Sequence, residues 1–298
     1  MLQGISVTCF AASYAVALAL EISRLWFRSR VRGLVMLGFG VAGLLAQTMF
    51  LAYRASLADA APLSSEYEWY LVTAWTLSAL YIYLTICHPQ TAFGLFLLPV
   101  TLLLIGIGQT FADREPFPVA QAARWWGLFH ASFLVMGYLA VIIGFVGGVM
   151  SLVQTFRLKH KQQQPQGFKL PSLEYLERLN QRALIISLLM FAIGLLSGAV
   201  LNLYHRQHAA EEVAWTDPIV WSSALVTAWL AVATLFMALY RPARQGRKVA
   251  YLTLVSFLFL VFTIAIRLLL PTGHGARKEP VDTTHWHPPQ VTNAGVIS

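Results

Sequence analysis

Residues 184–204 read LIISLLMFAIGLLSGAVLNLY, a long apolar run without one charged side chain. A helix of about 20 apolar residues is long enough to cross the hydrocarbon core of a bilayer. Other segments along the chain share this character, so the sequence predicts an all-α polytopic membrane protein, a bundle of about eight transmembrane helices. The predicted spans are 2–22, 33–53, 69–87, 91–111, 126–155, 184–204, 219–240 and 249–270.

The composition agrees with a membrane protein and excludes several other classes. Only 11% of the residues are charged and 57% are hydrophobic, whereas soluble domains have about 25% charged residues. The net charge of +8 does not indicate a nucleic-acid partner, because the basic residues lie in short connectors between apolar runs. Cys9 and Cys87 form no CxxC motif, which excludes a disulfide scaffold and a covalent CxxCH haem site on this chain.

The charges of the connectors predict the orientation in the membrane. The connectors after spans 1, 5 and 7 hold 14 of the 21 basic residues, and the opposite connectors hold most of the acidic ones. Since positively charged loops stay on the cytoplasmic side, we expect both termini outside. The first apolar stretch lacks a basic n-region, so we interpret it as a retained helix rather than a cleaved signal peptide.

The chain divides into three predicted regions. Residues 1–60 contain two N-terminal spans, and residues 61–275 form a membrane domain of six spans whose outer face carries the loop 205–221. Residues 276–298 are polar and are predicted to be disordered. Within the inner connector, leucines at helical spacing after Pro171 predict a short interfacial helix that precedes span 6.

Two histidines near the predicted outer face are candidate iron ligands. His130 lies about two turns into span 5, and His274 follows span 8. An ionisable group inside a membrane is a functional hypothesis by default, and imidazole binds iron well. Two hypotheses stay open: His130 is a core histidine bonded across helices and His274 a surface residue, or the two imidazoles hold a haem iron from opposite sides. Spacing alone does not show that the two side chains meet.

Aromatic and basic residues surround these positions in the predicted topology. Trp126 precedes His130, and Trp215 and Trp221 flank Asp217. Tryptophan is enriched at membrane interfaces in any case, although a porphyrin would also stack on such rings. Arginines could bind its propionates, but for Arg267 we expect a side chain that extends to the membrane surface. The candidates for propionate binding are Arg124, Arg206 and Arg267.

Four segments, taken in order, resemble a known family. They are LSSEYEWYLVTAW (63–75), WWGLFHASFLVMGY (125–138), the connector 157–182 with the IGLLSGAV that follows (193–200), and RLLLPTGHG (267–275). Together they resemble the membrane cytochrome c assembly proteins of the CcsA/ResC type, and most of all their smaller eight-span relatives of the HemX/YpjD type. The resemblance covers residues 60–275.

The resemblance implies a function and a set of site residues. It implies an assembly factor of cytochrome c biogenesis, rather than an enzyme, that binds haem b non-covalently at the outer face. It also implies apocytochrome c as client, a ResB-type membrane partner, surrounding lipid, and a location in the bacterial inner (plasma) membrane. His130 and His274 would be the axial ligands of the haem iron, and the other implied binding residues are Glu68, Trp126, Trp215, Asp217 and Pro218.

The loop before span 7 departs from the family pattern. The family's tryptophan-rich WWD loop reads roughly WGxYWxWDPKETW, and here Asp217 and Pro218 keep their places while Trp215 and Trp221 are out of register. The alternative function is therefore a HemX/YpjD-like accessory or regulatory protein of haem metabolism without haem ligation. A transporter without haem is a third hypothesis, for which no interrupted pair of helices gives support.

Overall fold

This computed structural model describes residues 6–24, 30–57, 63, 65–89, 91–115, 124–161, 170–207, 215–240 and 247–269, which contain eight α-helices. The predicted all-α fold is confirmed, and the described ranges contain no β-strand. The helices are α1 (Val7–Ser23), α2 (Arg30–Leu57), α3 (Glu66–Cys87), α4 (Gly94–Phe111), α5 (Arg124–Lys159), α6 (Leu173–Gln207), α7 (Pro218–Leu239) and α8 (Arg247–Leu269).

Seven of these helices, α2 to α8, are long and apolar enough to cross a membrane. The chain is therefore an integral multi-pass membrane protein. The helix α1 is also apolar, but its described part has only 17 residues. The placement of both termini outside stays a prediction, since residues 1–5 and the predicted disordered tail lie outside the described residues.

The helix α6 differs from its prediction. Instead of a separate interfacial helix and a span, residues Leu173 to Gln207 form one helix of 35 residues, which is about 52 Å long and exceeds the bilayer thickness. Its first turns contain an ion pair between Glu174 and Arg178 and are anchored to the bundle by the fully buried Leu176. Burial of that first segment keeps it in line with the span, so the helix continues without a break.

The eight helices pack as two groups of four. In the first group α1 packs on α2 and α4, and α3 packs on α4 and α2; in the second group α5 packs on α6 and α8, and α7 packs on both α8 and α6. Between the groups, α3 and α5 make only a small contact. The predicted boundary at residue 60 would separate α1 and α2 from α3 and α4, against which they pack. The division of the chain into three regions stays a prediction.

Buried polar side chains join the helices of the first group. The Tyr14 hydroxyl donates to Gln47 Oε1 at 2.8 Å, and Gln47 Nε2 donates to the Leu71 carbonyl at 3.0 Å. Tyr14 and Gln47 are fully buried, so each bond replaces hydration that the side chain has lost. These bonds tie α1, α2 and α3 together.

Glycines bring α5 and α6 close together in the second group. A Cβ atom on Gly137 would lie 2.8 Å from the Phe191 ring, and a Cβ atom on Gly194 would lie 2.6 Å from Leu134. Small residues at such contacts allow membrane helices to approach closely. Because the same antiparallel register continues toward the end of α5 that holds His130, this histidine meets Gly198 of α6.

Candidate functional site

His130 makes a hydrogen bond across the α5–α6 interface. Its Nδ1 lies 2.8 Å from the Gly194 carbonyl oxygen and 3.2 Å from Ser197 Oγ. Because a carbonyl can only accept, Nδ1 carries the proton and Nε2 carries the lone pair. The structure thus contains the hydrogen bond between helices that we expected for a histidine in the protein core. The same bond selects the tautomer that a metal-binding histidine uses.

A short segment of α6 forms the surface under this histidine. A Cβ atom on Gly198 would lie 2.7 Å from His130 Cε1. The Ser197 hydroxyl donates to the Gly194 carbonyl at 2.7 Å, and the Trp126 indole Nε1 donates to the Ser197 carbonyl at 2.8 Å. Sequence reasoning did not identify Gly194, Ser197 and Gly198 as site residues, although the small-residue pattern of IGLLSGAV was visible.

Aromatic rings continue from this point along α5. Trp126 stacks on Phe129 with ring centroids 5.6 Å apart, and Phe129 lies 4.6 Å from Phe133. Trp125 and Trp126 are exposed to 79% and 41%. The end of α5 therefore presents an accessible aromatic surface next to His130. Trp215 and Trp221 are also exposed, on either side of Asp217.

Asp217 and Pro218 begin α7. The Asp217 carboxylate accepts a hydrogen bond from the Ile219 amide at 2.8 Å, and Pro218 occupies the first helical position. Aspartate is a favoured N-cap residue and proline fits the first turn, where no amide donor is needed. Helix initiation thus explains why these two residues occur together, and a role in ligand binding stays a prediction.

We expect replacement of Asp217 by alanine to lower the stability of the α7 end by about 1 kcal/mol, because the cap is lost. The variant Asp217→Asn, which keeps an acceptor at this position, should stay close to the wild type. Thermal unfolding of the detergent-purified proteins measures both effects. Equal unfolding temperatures for Asp217→Ala and the wild type would contradict a capping role.

Glu68 bonds within the first group of helices. Its buried carboxylate pairs with Arg54 of α2 at 3.2 Å. The neighbouring Tyr67 ring lies 5.1 Å from the Arg54 guanidinium and 5.2 Å from that of Arg114. A binding role for Glu68 stays a prediction, and its observed partner is in α2.

An ion pair connects the two groups of helices. Arg267 Nη2 of α8 lies 2.9 Å from Glu66 Oε2 of α3, and the expected extension of Arg267 to the membrane surface stays a prediction. Tyr70 has Glu66, Arg267 and Tyr138 of α5 as electrostatic neighbours. Residues 201 positions apart in sequence form this pair, so local sequence patterns could not reveal it.

The remaining predicted site residues lie outside what the structure describes. His274 follows α8, whose described part ends at Leu269, and the side chains of Arg124 and Arg206 belong to the undescribed set. The structure therefore brings Trp126 and His130 together on α5. It places Asp217 and Pro218 at the start of α7, and Glu68 at the start of α3.

Comparisons with known proteins identify relatives of the chain. A family model described as cytochrome C assembly protein matches residues 63–273. Proteins named cytochrome c biogenesis protein CcsA are 25% identical in Chlamydomonas reinhardtii and 22% identical in Guillardia theta, over 75% and 76% of this chain. A protein of the same name from Prochlorococcus marinus (strain MIT 9301) is 28% identical over 72% of this chain. The matches span 62%, 81% and 75% of the three relatives, so the chain covers less than two thirds of the first.

Proposed function

Because the chain belongs to the cytochrome c assembly protein family, we propose that it is a membrane protein of cytochrome c biogenesis that holds haem at the outer face for delivery to apocytochrome c. The observation that carries this proposal is the hydrogen bond from His130 Nδ1 to the Gly194 carbonyl. This bond leaves the lone pair on Nε2, and donation from the other ring nitrogen to a carbonyl is the usual arrangement of metal-binding histidines.

The surroundings of His130 fit a large aromatic ligand. Trp126 and Phe129 stack next to it and remain partly exposed, so a flat ring could pack against them without displacing the core. The imidazole itself is only partly accessible, between α5 and α6. Iron prefers nitrogen ligands of this type.

The register of α5 and α8 supports His274 as the second ligand. Phe145 of α5 stacks on Phe257 of α8 with centroids 3.9 Å apart, and Gly148 faces Thr253. Counted along the two antiparallel helices from these contacts, Leu269 at the end of α8 lies about level with Phe133, one turn of α5 from His130. His274 follows Leu269 by five residues, a length that reaches at most about 18 Å.

The residues of the chain would hold and orient a non-covalent haem b. His130 and His274 would ligate the iron, Trp126 and Trp215 would contact the ring, and Asp217 with Pro218 would set the start of α7 beside it. Glu68 would support the same end of the bundle through Arg54. When bound, haem supplies the vinyl groups to which thiols add; since this chain has no CxxC motif, we assign the thiols to the client apocytochrome.

The same family membership supports a proposal about partners and location. We propose that the chain works with apocytochrome c and a ResB-type membrane protein in the bacterial inner membrane. It would act there as an assembly factor rather than an enzyme.

A second candidate function is that of a HemX/YpjD-like accessory protein without haem ligation. It is favoured by the tryptophans that are out of register and by the helix-capping role that accounts for Asp217 and Pro218. A deletion strain separates the two candidates. Loss of c-type cytochromes supports the assembly function, whereas normal cytochromes with altered haem precursors support the accessory one.

The direct test is an absorption titration of the detergent-purified protein with haemin. We expect a saturable shift of the Soret band and the spectrum of six-coordinate, low-spin iron, with one haem per chain. The variant His274→Ala should lose the low-spin spectrum. The variant His160→Ala is the matched control, because His160 is exposed and its Nδ1 bonds locally to the Phe156 carbonyl. Absence of any saturable shift in the wild type would refute the haem function.

A further inference from the structure

The geometry around His130 points to a positioning role for three residues, two of which, Ser197 and Gly198, sequence patterns did not reveal. We propose that Ser197, Gly198 and Trp126 hold the His130 imidazole in one tautomer and one orientation, so that Nε2 is ready to bind iron. This inference rests on the proposed function and extends it from the ligand to the residues that control the ligand.

The first element is the carbonyl that receives the imidazole proton. Gly194 O accepts from His130 Nδ1 at 2.8 Å, and Ser197 Oγ lies 3.2 Å from the same nitrogen. Ser197 is buried, and its hydroxyl donates to Gly194 O at 2.7 Å. The Nδ1 proton therefore points at two oxygens of α6. A half-turn flip of the ring would replace Nδ1 by a carbon atom and lose both contacts.

The second element is the absence of a side chain at position 198. A Cβ atom there would lie 2.7 Å from His130 Cε1, 3.1 Å from Nδ1 and 3.5 Å from Nε2. The imidazole edge thus lies directly against the α6 backbone, at a separation that only glycine allows. Because the contact includes Cε1, which lies between the two nitrogens, any added atom displaces the whole ring from Gly194 O.

The third element is the indole of Trp126. It is located four residues before His130, on the same side of α5, and its Nε1 donates to the Ser197 carbonyl at 2.8 Å. This bond ties the first turns of α5 to the same turn of α6 that carries Ser197 and Gly198. The Trp126 hydrogen bond and the Gly198 contact therefore both set the distance between α5 and α6 at His130.

These contacts predict how the ligand would behave. Donation from Nδ1 to a carbonyl fixes the direction of the imidazole, and loss of such supporting partners commonly weakens metal binding by about 10- to 100-fold. Gly198 gives the largest expected effect, because a Cβ atom there displaces the ring. Ser197 and Trp126 give smaller effects, because each contributes one hydrogen bond.

The test compares glycine-to-alanine substitutions in the same helix pair. In Gly198→Ala we expect haemin to bind about 10- to 100-fold more weakly. The matched control is Gly137→Ala, which forces a Cβ atom against Phe191 at 2.8 Å in the same interface but away from His130. A second control is Gly106→Ala, where a Cβ atom meets nothing within 4 Å. Both controls should keep the haemin affinity of the wild type.

A measurement without haem keeps the positioning role separate from the binding function. Selective ¹⁵N-histidine labelling reports the tautomer of each imidazole, and the His130 signal is assigned by its loss in His130→Ala. We expect an Nδ1–H tautomer in the wild type and in Gly137→Ala, and a mixture of tautomers in Gly198→Ala. Ser197→Ala and Trp126→Phe should show partial shifts in the same direction.

The outcomes are distinct. If Gly198→Ala keeps the Nδ1–H tautomer and the wild-type affinity, the positioning role is wrong even though haem binds. If Gly137→Ala loses as much affinity as Gly198→Ala, helix packing rather than ring positioning is responsible, and the inference is equally wrong. If the wild type has the expected tautomer but binds no haem, the proposed function fails.

Discussion

Replacing His130 by alanine should remove the low-spin haem spectrum and weaken haemin binding by at least about 100-fold. Loss of a residue that merely supports a metal-binding histidine already costs about 10- to 100-fold, and this variant removes the ligand itself. The measurement is a haemin titration followed at the Soret band, with the spin state read from the visible bands.

The control for His130→Ala is to fill the volume of the missing ring with free imidazole. Added imidazole should occupy the volume of the missing ring next to Gly198, which lies against the ring in the wild type, and should restore the low-spin spectrum. His160→Ala removes an exposed histidine at the opposite end of α5 and should leave the titration unchanged. An unaltered spectrum in His130→Ala would show that this histidine is not an axial ligand.

Reversing one charge of the Glu66–Arg267 pair should destabilise the protein by about 2–3 kcal/mol. Breaking a fully buried ion pair costs roughly 3–5 kcal/mol, and we expect less because these side chains remain 17% and 26% exposed. Either Glu66→Arg or Arg267→Glu places two like charges where α3 meets α8. The pair joins the two groups of helices, whose other main contact, between α3 and α5, is small.

The double variant tests whether the pair itself is responsible. Each single reversal should lower the unfolding temperature. The double variant Glu66→Arg with Arg267→Glu should recover at least half of that decrease. A charge reversal of the exposed pair Glu174 and Arg178 within α6 is the control, and it should change stability by less than about 0.5 kcal/mol. Single reversals that unfold like the wild type would show that the two groups are held together by other contacts.

Much of the fold could be predicted because membrane helices depend on local properties. The apolar run 184–204 has the length and composition of a span wherever it packs. Asp217 and Pro218, which we interpreted from sequence as part of the loop 205–221, begin α7 by local chemistry, so capping rules could have predicted this helix start. The predicted span 126–155 is longer than the other predicted spans, and the structure has a helix of 36 residues there, α5.

The errors and omissions have a common physical origin. The first turns of α6 are amphipathic, and only their burial against the rest of the bundle decides that they continue the span. Arg267 has an apolar local environment in sequence, which gives no indication that its partner Glu66 is on α3. In both cases the deciding contact comes from a distant part of the chain.

The candidate site was likewise predictable only in part. His130 could be identified from sequence, because an ionisable residue inside an apolar span is rare and costly. Its hydrogen bond to Gly194 and its contact with Gly198 depend on how α5 and α6 pack, since these residues are separated by 64 positions or more. Sequence thus suggested the ligand but not the surface that orients it.

The sequence by itself determined the all-α membrane fold and the family, because hydrophobic length and motif order are properties of short segments. The tertiary structure alone decided the pairing of Glu66 with Arg267, the two groups of four helices and the tautomer of His130. Those depend on atoms that packing brings within 3 Å of each other from distant parts of the chain.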